Sequence, residues 1–149
     1  MRRLPLLVLA TMCLLPALPA SAQDAASVNE TLTTVFGESE KFEAAFAELQ
    51  AAVAAGDAEA VADLAVYPLI VEVGERREIE SAEDFVAEYD HIVTEPVARL
   101  ITGQAYGDLI ANFEGIAFGS GEVWLSGVCD DDACNSWQVK IITIQTGVE

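Results

Sequence analysis

The one histidine, His91, follows Asp90, and an Asp–His pair is the usual vocabulary of general acid–base chemistry. Helical geometry works against that reading. Ala82, Phe85, Tyr89 and Ile92 recur at helical spacing and define one face. At about 100° per residue, His91 points away from them. Sequence neighbours on a helix also do not face one another. An exposed, inert His91 is therefore expected. Asp130, Asp131 and Asp132 form an acidic run. A calcium loop needs carboxylates at alternate positions, a glycine turn and a distal bidentate Glu. None follows, so a solvated loop tip is expected and no metal site is predicted.

Cys129 and Cys134 are a C-x4-C pair. Two thiols are too few for a structural zinc, and the spacing is not that of a thioredoxin motif. Across a hairpin loop in an oxidising compartment the pair should be a disulfide. Tyr67, Tyr89, Phe113 and Trp124, with the polar Asp108 and Asn112, are the candidate pocket lining. Apolar walls with a few polar groups are what ligand sites are made of. Aromatics in so small a domain also serve as plain core. No catalytic set and no cofactor motif emerge.

The compartment is read from the N-terminus. Met1-Arg2-Arg3 is a cationic start, Leu4 to Leu15 an apolar run, and Ala20-Ser21-Ala22 a small-residue exit. That is the pattern of an export signal over residues 1–22. The run is too short to span a bilayer, which takes about 20 residues. The expectation is a periplasmic or secreted protein without membrane insertion. Cleavage would remove Arg2 and Arg3, leaving five of seven basic residues against all 25 acidic ones, a net charge of −20. Such a charge repels phosphate backbones, so nucleic acid is excluded as a partner. It suits a cationic, basic protein partner or simple solubility.

Residues 23–37 are small and polar and are read as a flexible lead-in to a single domain over 38–146. Ser39 opens a helix through about Ala55, with Phe42, Phe46, Leu49 and Val53 on one face. Gly56 stops it and Asp57 caps a second, short helix. Tyr67 to Val73 reads as a strand, and Arg77 to Ile79 as its return. Ser81 caps a third helix running to about Ile92, and Pro96 opens a short helix that Gly103 ends. Leu109–Phe113, Glu122–Val128 and Trp137–Ile144 read as strands. On the last of these, Val139 and Ile141 are assigned to one face and Ile142 and Ile144 to the other. A sheet apolar on both faces calls for a second cover, such as a partner subunit in a homodimer. Helices first and antiparallel strands after make an α+β domain.

This order, together with Tyr67-Pro68-Leu69, Asn112-Phe113-Glu114-Gly115, Gly119-Ser120-Gly121-Glu122-Val123-Trp124 and Lys140-Ile141-Ile142-Thr143-Ile144, resembles small exported members of the nuclear transport factor 2-like superfamily. The resemblance implies a curved antiparallel sheet wrapped around N-terminal helices, a cone-like fold. That superfamily holds SnoaL-like isomerases, dehydratases and cyclases with a buried carboxylate, and also pure binding proteins. No catalytic set matches residue by residue. The leading expectation is a non-catalytic exported domain binding a small apolar molecule or a protein. The alternatives are a SnoaL-like enzyme and an acidic interaction or immunity-type protein.

Overall fold

A computed structural model describes residues 21–147. Residues 1–20, nearly all of the segment read as an export signal, lie outside the described residues.

The chain is α+β, and its helices precede and interrupt the strands. The first departure from expectation is at the start. Residues read as a flexible lead-in form helix α1, Ser21–Phe36. The pattern is sparse but helical: Val28, Leu32 and Phe36 recur every fourth residue. Val28 and Leu32 are buried in the core, and Phe36 packs on Phe42 with ring centroids 4.9 Å apart. Two hydrophobic anchors at i and i+4 suffice when a neighbouring helix supplies the rest of the apolar surface.

Helix α2, Glu40–Ala55, buries Phe42, Phe46, Leu49 and Val53 as its periodicity requires, and Gly56 closes it in the left-handed conformation at φ 65°. Asp57 caps α3, Ala58–Asp63, by accepting from the Ala60 N–H. Strands β1, Ala65–Val73, and β2, Glu75–Ile79, form an antiparallel hairpin. The third expected helix is broken in two. Ser81 caps α4, Ala82–Ala87, and a turn at Glu88 separates it from α5, Tyr89–Ile92. Glu88 also pairs with Arg77 of β2, which ties the break to the hairpin. Helix α6, Glu95–Gly103, carries Pro96 in its first turn, where the missing N–H costs nothing.

A 3-10 turn, Tyr106–Asp108, leads into β3, Ile110–Asn112; β4, Gly115–Phe118; β5, Val123–Cys129; and β6, Trp137–Gln145. Strand β4 was not anticipated, because its flanking glycines read as turns alone. Gly115 is required there. Its φ is +126°, and a Cβ would stand 2.1 Å from the Leu125 carbonyl oxygen of the next strand.

The sheet is six-stranded in the order β2-β1-β6-β5-β4-β3. It is mixed rather than antiparallel, because β6 returns beside β1 in the same direction. The β3-to-β6 meander begins only after α4–α6 have carried the chain across, and that crossover makes a parallel neighbour possible. The sheet is not closed: β2 and β3 are its two edges.

One face of this sheet is packed. Helices α2 and α3 lie against β6 and β1, and α1 lies against β3. Beneath them Phe42, Leu49, Leu69, Phe85, Ile116, Phe118, Leu125 and Ile141 are wholly buried. Phe46 stacks on Phe118 with centroids 5.6 Å apart and meets the Tyr106 ring edge-on. The expected split of the last strand does not occur: Val139, Ile141 and Ile144 all face this core. A β-bulge is the reason. Leu125 pairs with Ile141 and Trp124 with Thr143, so Ile142 is an extra residue that shifts the alternation by one.

Candidate functional site

The expected pocket residues do not converge. Tyr67 lies where β1 departs from regular pairing with β6, and its hydroxyl donates to the Ala62 carbonyl at 2.8 Å. Burial pushes that phenol up to about 12, with Asp63 and Glu83 adding to the shift. Tyr89 packs edge-on against Phe85, and burial raises its phenol as well. Asp108 is exposed at the 3-10 turn. Asn112 spends its side-chain oxygen on the Glu114 N–H at 2.7 Å, an Asx-type turn between β3 and β4. Phe113, at the tip of that turn, is 76 % exposed. Trp124 is on the sheet face opposite the helices. Fold topology thus places these six residues in at least four separate neighbourhoods.

Among the described residues the only buried polar or charged residue is Ser39, so no carboxylate is held in an apolar setting. No buried side-chain polar atom among them lacks a partner. Tyr106, the most deeply placed phenol, donates to Asn29 at 2.9 Å, and Asn29 in turn donates to Glu43. This chain joins α1, α2 and the 3-10 turn. Burial, then Glu43 and Glu40, raise the Tyr106 phenol. The hollows that remain are shallow. One of about 390 Å³ lies beside α3 and α4, between Glu59, Asp63 and Glu83. Another, of about 520 Å³, carries His91 at its rim beside Arg77. Arg77 is committed to Glu88; His91 is exposed, as the helix phase predicted, and Asp90 is exposed as well. Among the described residues no cluster of three His, Cys, Asp or Glu side chains could hold a metal.

The disulfide is formed. Cys129 ends β5, Cys134 lies in the exposed loop, and their Cα atoms are 4.9 Å apart. Asp130 takes a hydrogen bond from Gln138 at 2.7 Å, and its N–H donates to the Ser136 carbonyl. The Ser136 and Gln138 side chains hold the Asp130 carboxyl below its ordinary range. The acidic triplet is thus part of a stapled loop tip. Among the described residues no helix is long and apolar enough to cross a membrane.

What the structure does assemble was not grouped in advance. On the face away from the helices one continuous row crosses every strand. Glu78 on β2 pairs with Ile70 on β1, and Ile70 with Thr143 on β6. Thr143 pairs with Trp124 on β5, Trp124 with Ala117 on β4, and Ala117 with Ile110 on β3. Ala117 is wholly buried yet stands apart from the core cluster, between Trp124 and Ile110. The Trp124 indole reaches over the Gly121 turn, where a Cβ would meet its Nε1 at 3.2 Å. Gln145 donates to the Gly121 carbonyl and fixes that turn. Of the three large apolar residues exposed among those described, Ile110 and Phe113 sit at the β3 end of this row. The signal for it was strand parity: Ile70, Ala117 and Thr143 alternate with core residues on their strands. A comparison with protein-family models, curated proteins and solved structures finds no match for the chain.

Proposed function

We propose that the chain is an exported, non-catalytic binding domain that engages a protein through the uncovered face of its sheet. The observation that carries this reading is the contrast between a filled interior and an apolar exterior row. Phe42, Phe46, Leu49 and Phe118 occupy the space a ligand would need. Among the described residues no helix lies above Ile70, Trp124, Ala117 and Ile110. A small apolar ligand fits this arrangement less well than a protein surface. A SnoaL-like reaction would call for a buried carboxylate, and Asp108 is exposed.

Residues 1–22 act in this reading as a cleaved export signal, which places the domain in the periplasm or outside the cell. The formed disulfide suits such a compartment. The cone-like fold and the nuclear transport factor 2-like relationship belong to the same proposal. The order of helices, hairpin and late strands supports them. Their concave side would here serve as core.

The test is a photo-crosslinking side chain at position 110, with position 48 on the exposed side of α2 as control, in cells that export the protein. Protein-sized adducts from 110 and none from 48 are expected. A small molecule retained in the native mass spectrum of the isolated protein, with no protein adduct from 110, would overturn the reading.

A further inference from the structure

We propose that the hollow between α2, the α3–β1 junction and the start of β6 binds a small zwitterion with an apolar side chain, a molecule of the class of a free α-amino acid. The hollow measures about 330 Å³, the lower end for a small-molecule site. It lies at the helix-side margin of the sheet, apart from the uncovered face. Its occupant is therefore a second partner, separate from the protein proposed for that face.

The helix wall follows from spacing. Lys41, Ala44, Ala45 and Glu48 fall at i, i+3, i+4 and i+7, on one side of α2. The two alanines open a gap between two charged ends. Leu64 and Val139 line the same hollow from the α3–β1 junction and from β6. Trp137 stands at the Lys41 end, where the Lys41 Nζ lies 4.0 Å from its ring centroid. Phe36 and Phe42 support that ring, with centroids 6.1 and 6.0 Å away. Such walls suit an aromatic or branched aliphatic side chain.

The charges select the rest of the ligand. Both lysines of the chain line this hollow, with Glu48 and Asp63, so the lining is neutral on a molecule of net charge −18. The hollow beside α3 and α4 carries three carboxylates and no cation. Lys41 is already engaged, pairing with Glu38 at 2.9 Å and donating to the Trp137 carbonyl at 3.2 Å. It holds the Trp137 wall in place. Lys140 is the one basic residue among those described that pairs with no carboxylate, since Arg76, Arg77 and Arg99 each hold a glutamate. Its ammonium donates to the Asp63 carbonyl at 2.6 Å and keeps further donors for a ligand carboxylate. Glu48 and Asp63 enter no ion pair among the described residues, which leaves them to receive a ligand ammonium. A plain anion would gain Lys140 and meet two carboxylates. A plain amine would gain the carboxylates and meet two ammoniums. A zwitterion satisfies both sets.

Trp137 reports on the site. The chain has two tryptophans, and Trp124→Phe leaves Trp137 alone. The exported protein with that substitution, disulfide intact, is titrated with three probes that share one ring. They are phenylalanine, hydrocinnamate, which lacks the ammonium, and phenethylamine, which lacks the carboxylate. Phenylalanine should change Trp137 emission saturably with a Kd on the order of 1 mM, as a shallow site allows. Each truncated probe should bind at least about 10-fold more weakly. Lys140→Met and Glu48→Gln should each weaken phenylalanine about 10-fold. Ala44→Phe, at an exposed position, should fill the hollow and abolish the response. Circular dichroism checks that the variants keep their fold. Saturation-transfer NMR on the unsubstituted protein repeats the probe comparison without Trp124→Phe. No saturation by phenylalanine up to about 50 mM overturns the inference. So does equal binding of either truncated probe, or phenylalanine binding indifferent to both charge substitutions. Crosslinking from position 110 reads the other face, so the two proposals stand or fall separately.

Discussion

The two faces of the sheet are built from the same strands, and they could hardly be used more differently. On the helix side Leu69, Ile116, Phe118, Leu125 and Ile141 have lost all contact with solvent. On the other side Ile70, Trp124 and Thr143 are half-covered by their neighbours alone, and Ile110 is 38 % exposed. Every residue on the first face contributes to stability, because removing it leaves a hole that helices cannot close. The second face contributes little to the fold of one copy. Its apolar stretch from Ile70 to Ile110, with acids only at the β1–β2 end, is therefore better explained by a contact with another molecule.

The sharpest way to break this comparison is to truncate one residue on each face. Phe118→Ala should cost about 3–5 kcal/mol, the transfer term plus a cavity under α2. Ile110→Ala should cost under about 1 kcal/mol at concentrations where the chain is monomeric. Urea melts of the two variants decide it. Equal losses would mean that the outer face is a second core.

The Cys129–Cys134 bridge belongs to neither face and stabilises at the end of the β5–β6 hairpin. Reduction should lower stability by about 2 kcal/mol and the melting temperature by several degrees. Thiol titration of the unfolded, non-reduced protein should find no free Cys129 or Cys134. Two free thiols would remove the staple from the account.

The tyrosines report on the helix side. Tyr67 is raised to about 12, and Tyr89 and Tyr106 are raised by burial as well. The folded chain thus holds phenolic protons that the unfolded chain releases near 10. Stability is full below about pH 10 and falls as pH rises toward about 12, because only the unfolded state gains by deprotonating there. Absorbance titration of the folded protein should show tyrosinate late, and the same titration in denaturant should show it near 10. Coincident curves would mean that the three phenols are hydrated.

The smallest effect is expected at His91. His91→Ala should change stability by less than about 0.5 kcal/mol, since the ring is exposed on α5. A larger loss, read from a thermal melt, would make the rim beside Arg77 a site.

Local chemistry was legible wherever a single element carried it. The α2 face, the Gly56 stop, the Asp57 and Ser81 caps and the disulfide all depend on residues within a few positions of one another. Helix α1 was missed because Val28, Leu32 and Phe36 are too few to stand out among small polar residues until α2 is beside them. Strand β4 was missed because Gly115 and Gly119 read as turns when the neighbour that makes Gly115 obligatory, Leu125, is ten residues away.

The sequence by itself determined the α+β class, the outward position of His91 and the pairing of Cys129 with Cys134. Those follow from periodicity, spacing and composition, which act along the chain. Only the tertiary structure decided that β6 joins β1 in parallel, that a bulge at Ile142 turns Ile144 inward, and that the six expected pocket residues stay apart. It also gathered Ile70, Thr143, Trp124, Ala117 and Ile110 into one row. Register between strands far apart in sequence is set by which packing buries the most apolar surface at once, and no single segment contains that information.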